Sequence, residues 1–386
     1  MFQGGGFLKR RRSPFSSLGL LPVLLTVGAL GLCFLLHDRD VRSGAYLVGD
    51  CPYYASAAVS LWVDGDVNLS NQLLGGLVVH QKQVALGRHG EWFPKHPLLL
   101  SVLSVPFYAL FGIPGFLLLN ALVMLLLVMT LWRLCRRHAA PGIAMTATLL
   151  VFAGSFLRNY LYEYSPDLLS TLLVLVGLLL ILSNRAFSGG LFLGLSVLAK
   201  VTNLFVAALV VLFLFFRRPR RDAIAAGAGL LPGIAAWSLL NLALFGSPTT
   251  TGYDRTLVFR DGSVTTVSHK GFFDVPVWVG ARGQLLDPKA GLLFTAPILL
   301  LALPGLLPYV RKAPWESLLV LGLSEFLFLF FSTYRWWAAS RYGNRFLMVP
   351  VCLAAIPISL ALESFWRTIE TRFHARIALP EAPGER

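Results

Sequence analysis

The sequence contains little charge for its length. Asp, Glu, Lys and Arg make up 13% of its 386 residues, whereas soluble domains carry about 25%. Hydrophobic residues account for 56%, and the mean hydropathy is +0.69. These values exclude an ordinary soluble protein and indicate an integral membrane protein. The formal charge of +14 is expected from the Lys and Arg that orient membrane proteins, so we predict no nucleic-acid partner.

Cysteine is also scarce, and the motifs that depend on it are absent. The four cysteines are scattered without C-x-x-C spacing, which argues against a disulfide framework and against a zinc site. No nucleophile motif is present, so a covalent enzyme intermediate is not expected. The first apolar run, 18–36, is too long for a signal-peptide core and lacks a small-x-small cleavage site. It therefore predicts an uncleaved first transmembrane helix.

Long apolar runs dominate the rest of the chain. A helix needs about 20 apolar residues to cross the hydrocarbon core, and backbone in lipid must be helical. We therefore predict an all-α integral membrane protein with about ten transmembrane helices, two of them short (187–200 and 202–216). The ten runs are 18–36, 115–133, 142–158, 167–183, 187–200, 202–216, 223–245, 290–308, 315–332 and 346–363.

The arginines between these runs predict an orientation. If run 97–112, which carries two prolines, is an interfacial helix rather than a span, the short basic loops all fall on the cytoplasmic side. We then expect a multi-pass protein of the inner (cell) membrane with both termini cytoplasmic. It would consist of a basic N-terminus 1–17, a transmembrane domain 18–363 and a cytoplasmic tail 364–386. The segments predicted to face outward are 37–114 (a first loop carrying interfacial helices), 158–167, 200–202, 245–289 and 332–345.

The first outer loop carries the motif Gly49-Asp50-Cys51-Pro52-Tyr53-Tyr54. It predicts an amphipathic surface helix over 52–62 that begins just after Asp50, with proline at its first position. Asp50 is then either a functional carboxylate or a helix cap, and both interpretations stay open. As a partly desolvated acid it should have a raised pKa. The nearby Asp64-Gly65-Asp66 is more consistent with a turn than with a metal site.

Further motifs follow in a recognisable order. They are Pro94-Lys95-His96-Pro97, the run 193–202 ending in Lys200-Val-Thr202, Leu244–Pro248, Thr251-Gly-Tyr253, Gly291–Phe294 with Ala296-Pro297, and Trp336-Trp337-x-x-x-Arg341-Tyr-Gly-x-Arg345. Together with the Asp50 motif, this set resembles the membrane-embedded GT-C glycosyltransferases, which include protein O-mannosyltransferases and the aminoarabinose transferases of lipid A. The resemblance covers Gly49 to about Pro350. It departs from the family at Cys51, where relatives commonly have a second acid; Glu163 and Asp167 are the candidates to replace it.

The resemblance implies a function and a set of site residues. A sugar would pass from a polyprenyl-phosphate-linked donor to an extracytoplasmic acceptor (lipid, glycan or protein) by an inverting single displacement, with Asp50 as the base. No cofactor is required by this scheme, and use of a divalent metal ion stays open. The partners would be the donor, the acceptor and the lipid bilayer. The donor-phosphate candidates are Lys200, Arg341 and Arg345, with Arg335, His96 and Lys95; the acceptor, sugar or supporting candidates are Glu163, Asp167, Tyr54, Tyr253 and Trp336.

Several of these residues also have a simpler interpretation. The arginines at 335, 341 and 345 lie in an outer loop without carboxylates and so suggest an anion, but they could instead bind lipid headgroups or pair with Asp50 or Glu163. Trp336 could be an interfacial anchor. Structural roles are also open for the rest: Lys200 could snorkel to the membrane surface or pair with Glu325 inside the membrane, His96 could be a surface residue, and Asp167 could cap a helix.

Two functions of other kinds also fit the sequence. A transporter or flippase of a lipid-linked or anionic solute would explain charges in a hydrophobic body, although it predicts an inverted repeat that the sequence does not show. A non-catalytic GT-C relative would explain Cys51. Loss of activity on replacing Asp50 would distinguish the enzyme from both.

Overall fold

The structure is a computed structural model that describes residues 20–36, 47, 49–74, 84–260, 263–339 and 342–377. Its first helices are α1 (Leu20–Leu36), α2 (Cys51–Val63), α3 (Ser70–Leu74), α4 (Leu99–Phe111), α5 (Pro114–Cys135), α6 (Pro141–Ala153), α7 (Pro166–Leu182) and α8 (Ala186–Ala199). The following helices are α9 (Asn203–Arg217), α10 (Arg220–Phe245), α11 (Val277–Leu286), α12 (Leu292–Thr295), α13 (Leu303–Lys312), α14 (Pro314–Ser332), α15 (Met348–Leu353) and α16 (Ala355–Ile377).

Each apolar run of the sequence contains helix, as predicted. Four stretches among the described residues are long and apolar enough to cross a bilayer: Pro114–Cys135, Arg220–Phe245, Pro314–Ser332 and Arg345–Thr371. The other apolar helices are shorter, such as α8 and α9 with 14 and 15 residues. At 1.5 Å per residue they extend about 21–23 Å, less than the roughly 30 Å hydrocarbon core. The predicted count of ten spans therefore stays a prediction.

Helix α7 lies at the centre of the protein, because every one of its residues is buried. A helix that is apolar on all sides is stable only inside a bundle. Next to it, α8 and α10 pack backbone against backbone through glycines: a Cβ added at Gly190 would lie 2.0 Å from the carbonyl oxygen of Ala226. Such close approach needs small residues. It fixes the position of α8, and with it that of Lys200, which directly follows the helix.

The structure also contains a small β-sheet, which the all-α prediction missed. Four antiparallel strands follow the order β2-β1-β3-β4. Strands β1 (Val84–Leu86) and β2 (Trp92–Pro94) come from the first loop, and β3 (Thr256–Arg260) and β4 (Ser263–Val267) from segment 245–289. Strands of three to five residues are too short to show an alternating pattern. Pairing of β1 with β3 joins two segments that are far apart in sequence.

Candidate active site

Asp50 precedes α2 but does not cap it. The helix begins at Cys51, as the proline predicts, and the Asp50 side chain makes no capping hydrogen bond. Its carboxylate instead accepts a hydrogen bond of 2.8 Å from Nη2 of Arg345. The capping interpretation is therefore wrong. The prediction of a surface helix is also wrong for most of α2, because Tyr53 to Ser60 are buried.

Arg345 links two carboxylates that come from different parts of the chain. Besides Asp50, it lies near Asp167, with 3.7 Å between Arg345 Nε and Asp167 Oδ2. Arg345 begins a short 3-10 turn between α14 and α15. The fully buried Asn344 caps this turn, since its Oδ1 accepts from the Phe346 N–H at 3.1 Å. The cap orients the turn that carries the guanidinium.

Asp167 also forms an ion pair with Lys200, at 2.5 Å between Oδ1 and Nζ. Asp167 does not cap α7 as predicted; Ser165 does. The Ser165 hydroxyl accepts a hydrogen bond from the Asp167 N–H at 3.3 Å and donates one to Asp167 Oδ2 at 2.9 Å. The Lys200 ammonium lies 4.6 Å from the ring centre of Phe346. Pairing of Lys200 with Glu325 is wrong, because Glu325 is exposed on α14.

His96 lies on the other side of Asp50 and is buried, so its interpretation as a surface residue is wrong. Its Nδ1 is 2.9 Å from the Tyr253 hydroxyl, and its ring stacks on Tyr54 at 5.0 Å between centres. His96 Nε2 faces Asp50 Oδ1 at 3.9 Å, too far for a hydrogen bond. Within the described part of the chain, this buried nitrogen has no hydrogen-bond partner.

These side chains form one group, which we call the Asp50 cluster. The cluster has a contribution from each of the five segments predicted to face outward. Strand pairing explains why two of these segments lie together. Lys95 and His96 follow β2 and Tyr253 precedes β3, and both strands belong to the same sheet. The members are Asp50, Tyr54, Lys95, His96, Asp167, Lys200, Tyr253 and Arg345.

The cluster combines three cationic side chains with two carboxylates. Burial lowers the pKa of His96 to about 3, so the imidazole is neutral at pH 7. Burial also lowers the pKa of Lys95 to about 8, against the attraction of Asp50. With His96 neutral, the cluster has a formal charge of +1 when Lys95 is protonated. Such a site favours an additional anion.

The electrostatics of Asp50 differ from the expectation drawn from the sequence. Burial raises the pKa of the carboxyl, but the charges of His96, Arg345 and Lys95 and the hydrogen bond from Arg345 together outweigh burial and hold it below its usual value. His96 contributes because the carboxyl titrates in the acid range in which the imidazole is also protonated. The predicted rise is therefore wrong. The cations that reverse it arrive from segments distant in sequence.

The buried, neutral His96 should make stability depend on pH. The unfolded chain takes up a proton on this residue below about pH 6.5, whereas the folded protein does so only near pH 3. The free energy of unfolding should thus be highest above pH 6.5 and fall as the pH drops, by about 1.4 kcal/mol per unit from this group. Denaturation of the detergent-solubilised protein at pH 4.5 and 6.5 measures the slope. His96→Gln should flatten it and exposed His89→Gln should not; an unchanged slope in His96→Gln would contradict the assignment.

The pair formed by Asp167 and Lys200 should be strongly coupled. Removing one partner leaves a buried charge without compensation, so Asp167→Asn or Lys200→Met should each lower the free energy of unfolding by about 3–5 kcal/mol. The double variant should lose less than the sum, with a coupling energy of about 0.5–3 kcal/mol. A double-mutant cycle by chemical denaturation tests this. Additive losses would mean that the ion pair contributes little.

Two predicted site residues lie apart from the cluster. Arg335 pairs with Asp274, and both side chains are about half exposed. The loop 332–345 lacks carboxylates, but the fold brings one to it from segment 245–289. Trp336 is half exposed, with its ring centre 6.4 Å from that of Phe272. Their predicted roles in binding phosphate or sugar gain no support from these positions.

The remaining predicted residues divide into three cases. Arg341 lies outside the described residues. Cys51 belongs to the main hydrophobic core, so the family's second acid would here sit among apolar side chains. Glu163 is buried. Asp167, the other substitute proposed, lies in the cluster through its contacts with Lys200 and Arg345, and its role as the second acid stays a prediction.

The described part of the chain gives no direct indication of a metal. Among the residues that the structure describes, no three or more His, Cys, Asp or Glu side chains are grouped to hold an ion. Asp64 accepts hydrogen bonds from Gln72, and Asp66 accepts one from Ser60 at 2.8 Å. Gly65 between them has a φ of +75°, which glycine adopts readily. The prediction of a turn at 64–66 is confirmed.

Two supporting residues were missed by sequence reasoning. Ser165 fixes the Asp167 carboxylate, and Asn344 fixes the turn of Arg345. A serine two residues before an acid, at the start of an apolar run, is a cap signal that could have found Ser165. Asn344 caps a turn of only three residues, too short to be predicted from the sequence, and its other contact, a hydrogen bond of 2.9 Å donated to Gln284, is with a distant element.

Comparison with known proteins identifies the family and the fold. The model of glycosyltransferase family 87 matches residues 95–313, more than half of the chain. The structure is similar to that of ArnT from Cupriavidus metallidurans bound to undecaprenyl phosphate, with a TM-score of 0.54 and 16% identity over 92% of this chain and 64% of that one. It is also similar to the archaeal oligosaccharyltransferase AglB from Archaeoglobus fulgidus in complex with an inhibitory peptide and a dolichol-phosphate, with a TM-score of 0.58 and 13% identity over 95% and 53%. No curated protein matches the chain by sequence.

The chain thus spans less than two thirds of the length of either of these proteins, and at such low identity the likeness concerns the fold. The family match includes five members of the cluster, Lys95, His96, Asp167, Lys200 and Tyr253, whereas Asp50, Tyr54 and Arg345 lie outside it. The resemblance inferred from the motifs is confirmed. The chain belongs to glycosyltransferase family 87, among the multi-pass membrane glycosyltransferases with the GT-C fold.

Proposed function

We propose that this protein transfers a sugar from a polyprenyl-phosphate-linked donor to an acceptor on the extracytoplasmic side of the membrane, by an inverting single displacement. The observation that carries the proposal is the Asp50 cluster: a partly buried carboxylate beside three cations and a neutral imidazole. Transfer of this kind needs a base for the acceptor proton and positive charge for the departing phosphate. The cluster contains both.

Lys95, Lys200 and Arg345 are the groups we assign to the donor phosphate. The arginine lies partly buried between two carboxylates, and its Nε has no hydrogen-bond partner within the described chain. Lys200 has one close carboxylate, Asp167, which leaves further donors on its ammonium. A phosphate entering here would gain charge-assisted hydrogen bonds without exposing the cations to water. The excess of one positive charge favours its binding.

Asp50 is the group we assign as base, and its activation depends on the donor. Before a donor binds, Arg345 holds the pKa of this carboxyl low, which makes the carboxylate a weak base. When the donor phosphate engages Arg345, part of that positive charge is neutralised and the pKa of Asp50 rises. His96 Nε2 faces the same carboxylate at 3.9 Å and would help hold the acceptor hydroxyl or amine. Base strength would thus develop only once the donor is bound.

The donor class is inferred from fold and placement together. The two solved structures described above carry undecaprenyl phosphate or dolichol-phosphate, which makes a polyprenyl phosphate the natural candidate for the same fold. The cluster is bordered by apolar helices, which suits a donor whose tail stays in lipid. We propose the outer side because the basic loops of the sequence fall on the other side in the ten-span topology. A reporter fused to the C-terminus and read on each side of the membrane would test that orientation.

The experiment is a binding and turnover assay in nanodiscs. The wild type is titrated with a panel of radiolabelled polyprenyl-phosphate sugars, and release of the polyprenyl phosphate is followed with candidate acceptors. We expect one donor to bind and be consumed. Binding without consumption under all acceptor conditions would point to a non-catalytic relative. Failure of every donor to bind would contradict the proposal.

A further inference from the structure

An apolar groove runs between α9 and α14, away from the Asp50 cluster. Its volume is about 570 Å³, within the range of small-molecule sites. Its lining is open toward the membrane, because side chains such as Leu212, Phe216 and Leu318 are about half exposed or more. A Cβ added at Gly322 would touch nothing within 4 Å, so this glycine leaves empty space in the wall. The lining residues are Leu209, Leu212, Phe213, Phe216, Arg217, Leu318, Leu319, Gly322 and Leu323.

One end of the groove is strongly basic. Arg217 lines it, and its guanidinium lies 4.2 Å from the ring centre of Trp315. Both side chains are exposed. Arg218, Arg220 and Arg221 follow in the next residues, and Asp222 is the one acid in this stretch. An apolar slot that ends in such a cluster is complementary to an amphiphile with an anionic head.

The groove is separate from the Asp50 cluster. Helix α9 begins three residues after Lys200 and ends at Arg217, about 22 Å away along its axis. Between the two regions the rings of Phe205 and Phe330 meet at 5.2 Å and close the gap between α9 and α14. The basic end of the groove therefore faces the membrane surface opposite to the cluster. A lipid whose phosphate binds Arg217 therefore cannot place that phosphate near Asp50.

We propose that this groove is a binding site for an anionic glycerophospholipid. Arg217 binds the headgroup phosphate, Trp315 lies at the level of the headgroup, and an acyl chain fills the slot over Gly322. The nine residues from Leu209 to Arg217 extend about 14 Å, comparable to one leaflet of the hydrocarbon core. That length suits an acyl chain better than a long polyprenyl chain. The site is distinct from donor binding and does not depend on the proposed function.

Native mass spectrometry of the purified full-length protein tests the site. The protein is titrated in separate arms with phosphatidylglycerol, phosphatidylcholine and a polyprenyl phosphate, and the first bound lipid is quantified. We expect phosphatidylglycerol to bind about tenfold more tightly than phosphatidylcholine, because both carry a phosphate but the quaternary ammonium of choline is repelled by Arg217 and the arginines beside it. Arg217→Gln should remove this preference, and Gly322→Trp should fill the slot and weaken both phospholipids.

Matched controls separate the groove from general effects. Gly227→Trp introduces the same side chain at another open helical position, and Arg311→Gln removes an exposed arginine elsewhere; neither should change phospholipid binding. Correct folding of each variant is checked by its thermal transition. The proposal is overturned if Gly322→Trp binds phosphatidylglycerol like the wild type, or if Arg217→Gln keeps the preference. It is also overturned if the polyprenyl phosphate binds better than phosphatidylglycerol and Gly322→Trp abolishes that binding.

Discussion

Asp50→Asn should reduce sugar transfer by about 10²–10⁴-fold, the usual contribution of a positioned general base. Asparagine keeps the shape of the side chain and can still accept from Arg345, but it cannot take a proton from the acceptor. Donor affinity should not fall, because the variant removes a negative charge beside the phosphate site. Single-turnover assays in nanodiscs with saturating donor measure the chemical step, and equilibrium titration measures donor binding.

The control for this prediction is Asp64→Asn. Asp64 belongs to the same loop, but it lies outside the cluster and instead accepts from Gln72 beside the turn at 64–66. Its replacement should leave transfer near the wild-type rate. If Asp50→Asn retained most of its activity while binding donor normally, the base would have to be another group. Loss of donor binding together with activity would instead assign Asp50 a role in the architecture of the site.

Arg345→Gln should be the most damaging single change to the cluster. It leaves the buried Asp167 and the partly buried Asp50 without their shared cation, and the loss of one partner of a buried pair lowers the free energy of unfolding by about 3–5 kcal/mol. Donor affinity should fall by about tenfold or more, since a charge-assisted contact to phosphate is lost. Chemical denaturation measures the first effect and donor titration the second.

Arg335→Gln is the matched control from the same loop. Arg335 pairs with Asp274 on the surface, where ion pairs contribute little. Both stability and donor binding should stay close to the wild type. Restoring stability in Arg345→Gln by adding Asp50→Asn would show that the damage comes from the uncompensated carboxylate. Equal effects of Arg335→Gln and Arg345→Gln would contradict the placement of the donor phosphate.

Local signals in the sequence determined much of the helical architecture. Every apolar run that predicted a helix contains one, and the proline after Cys51 predicted the start of α2. The order of weak motifs determined the resemblance to GT-C glycosyltransferases, which the family match confirms. These signals succeed because a bilayer accepts only hydrogen-bonded helical backbone in lipid. The pattern of apolar residues is then sufficient to reveal the elements.

The tertiary structure decided how the candidate residues meet. The sheet that brings His96 to Tyr253 pairs strands about 170 residues apart, each too short to leave a periodic signal. The partner of Lys200 was also decided by the tertiary structure. The sequence suggested Glu325 as one possible partner, but the packing of α7 against α8 places Asp167 beside Lys200 instead. Neither contact could be read from local sequence, because both depend on the docking of separate helices and loops.

The sequence by itself determined that this chain is a membrane protein of the GT-C type with Asp50 as its leading candidate residue. Only the tertiary structure decided the charge environment of that residue. Desolvation alone would raise the pKa of Asp50, and the sequence supported that expectation. His96, Arg345 and Lys95 together reverse the sign, and Arg345, 295 residues away along the chain, also donates a hydrogen bond of 2.8 Å to the carboxylate. Coulombic interactions depend on distance in space, which sequence separation does not encode.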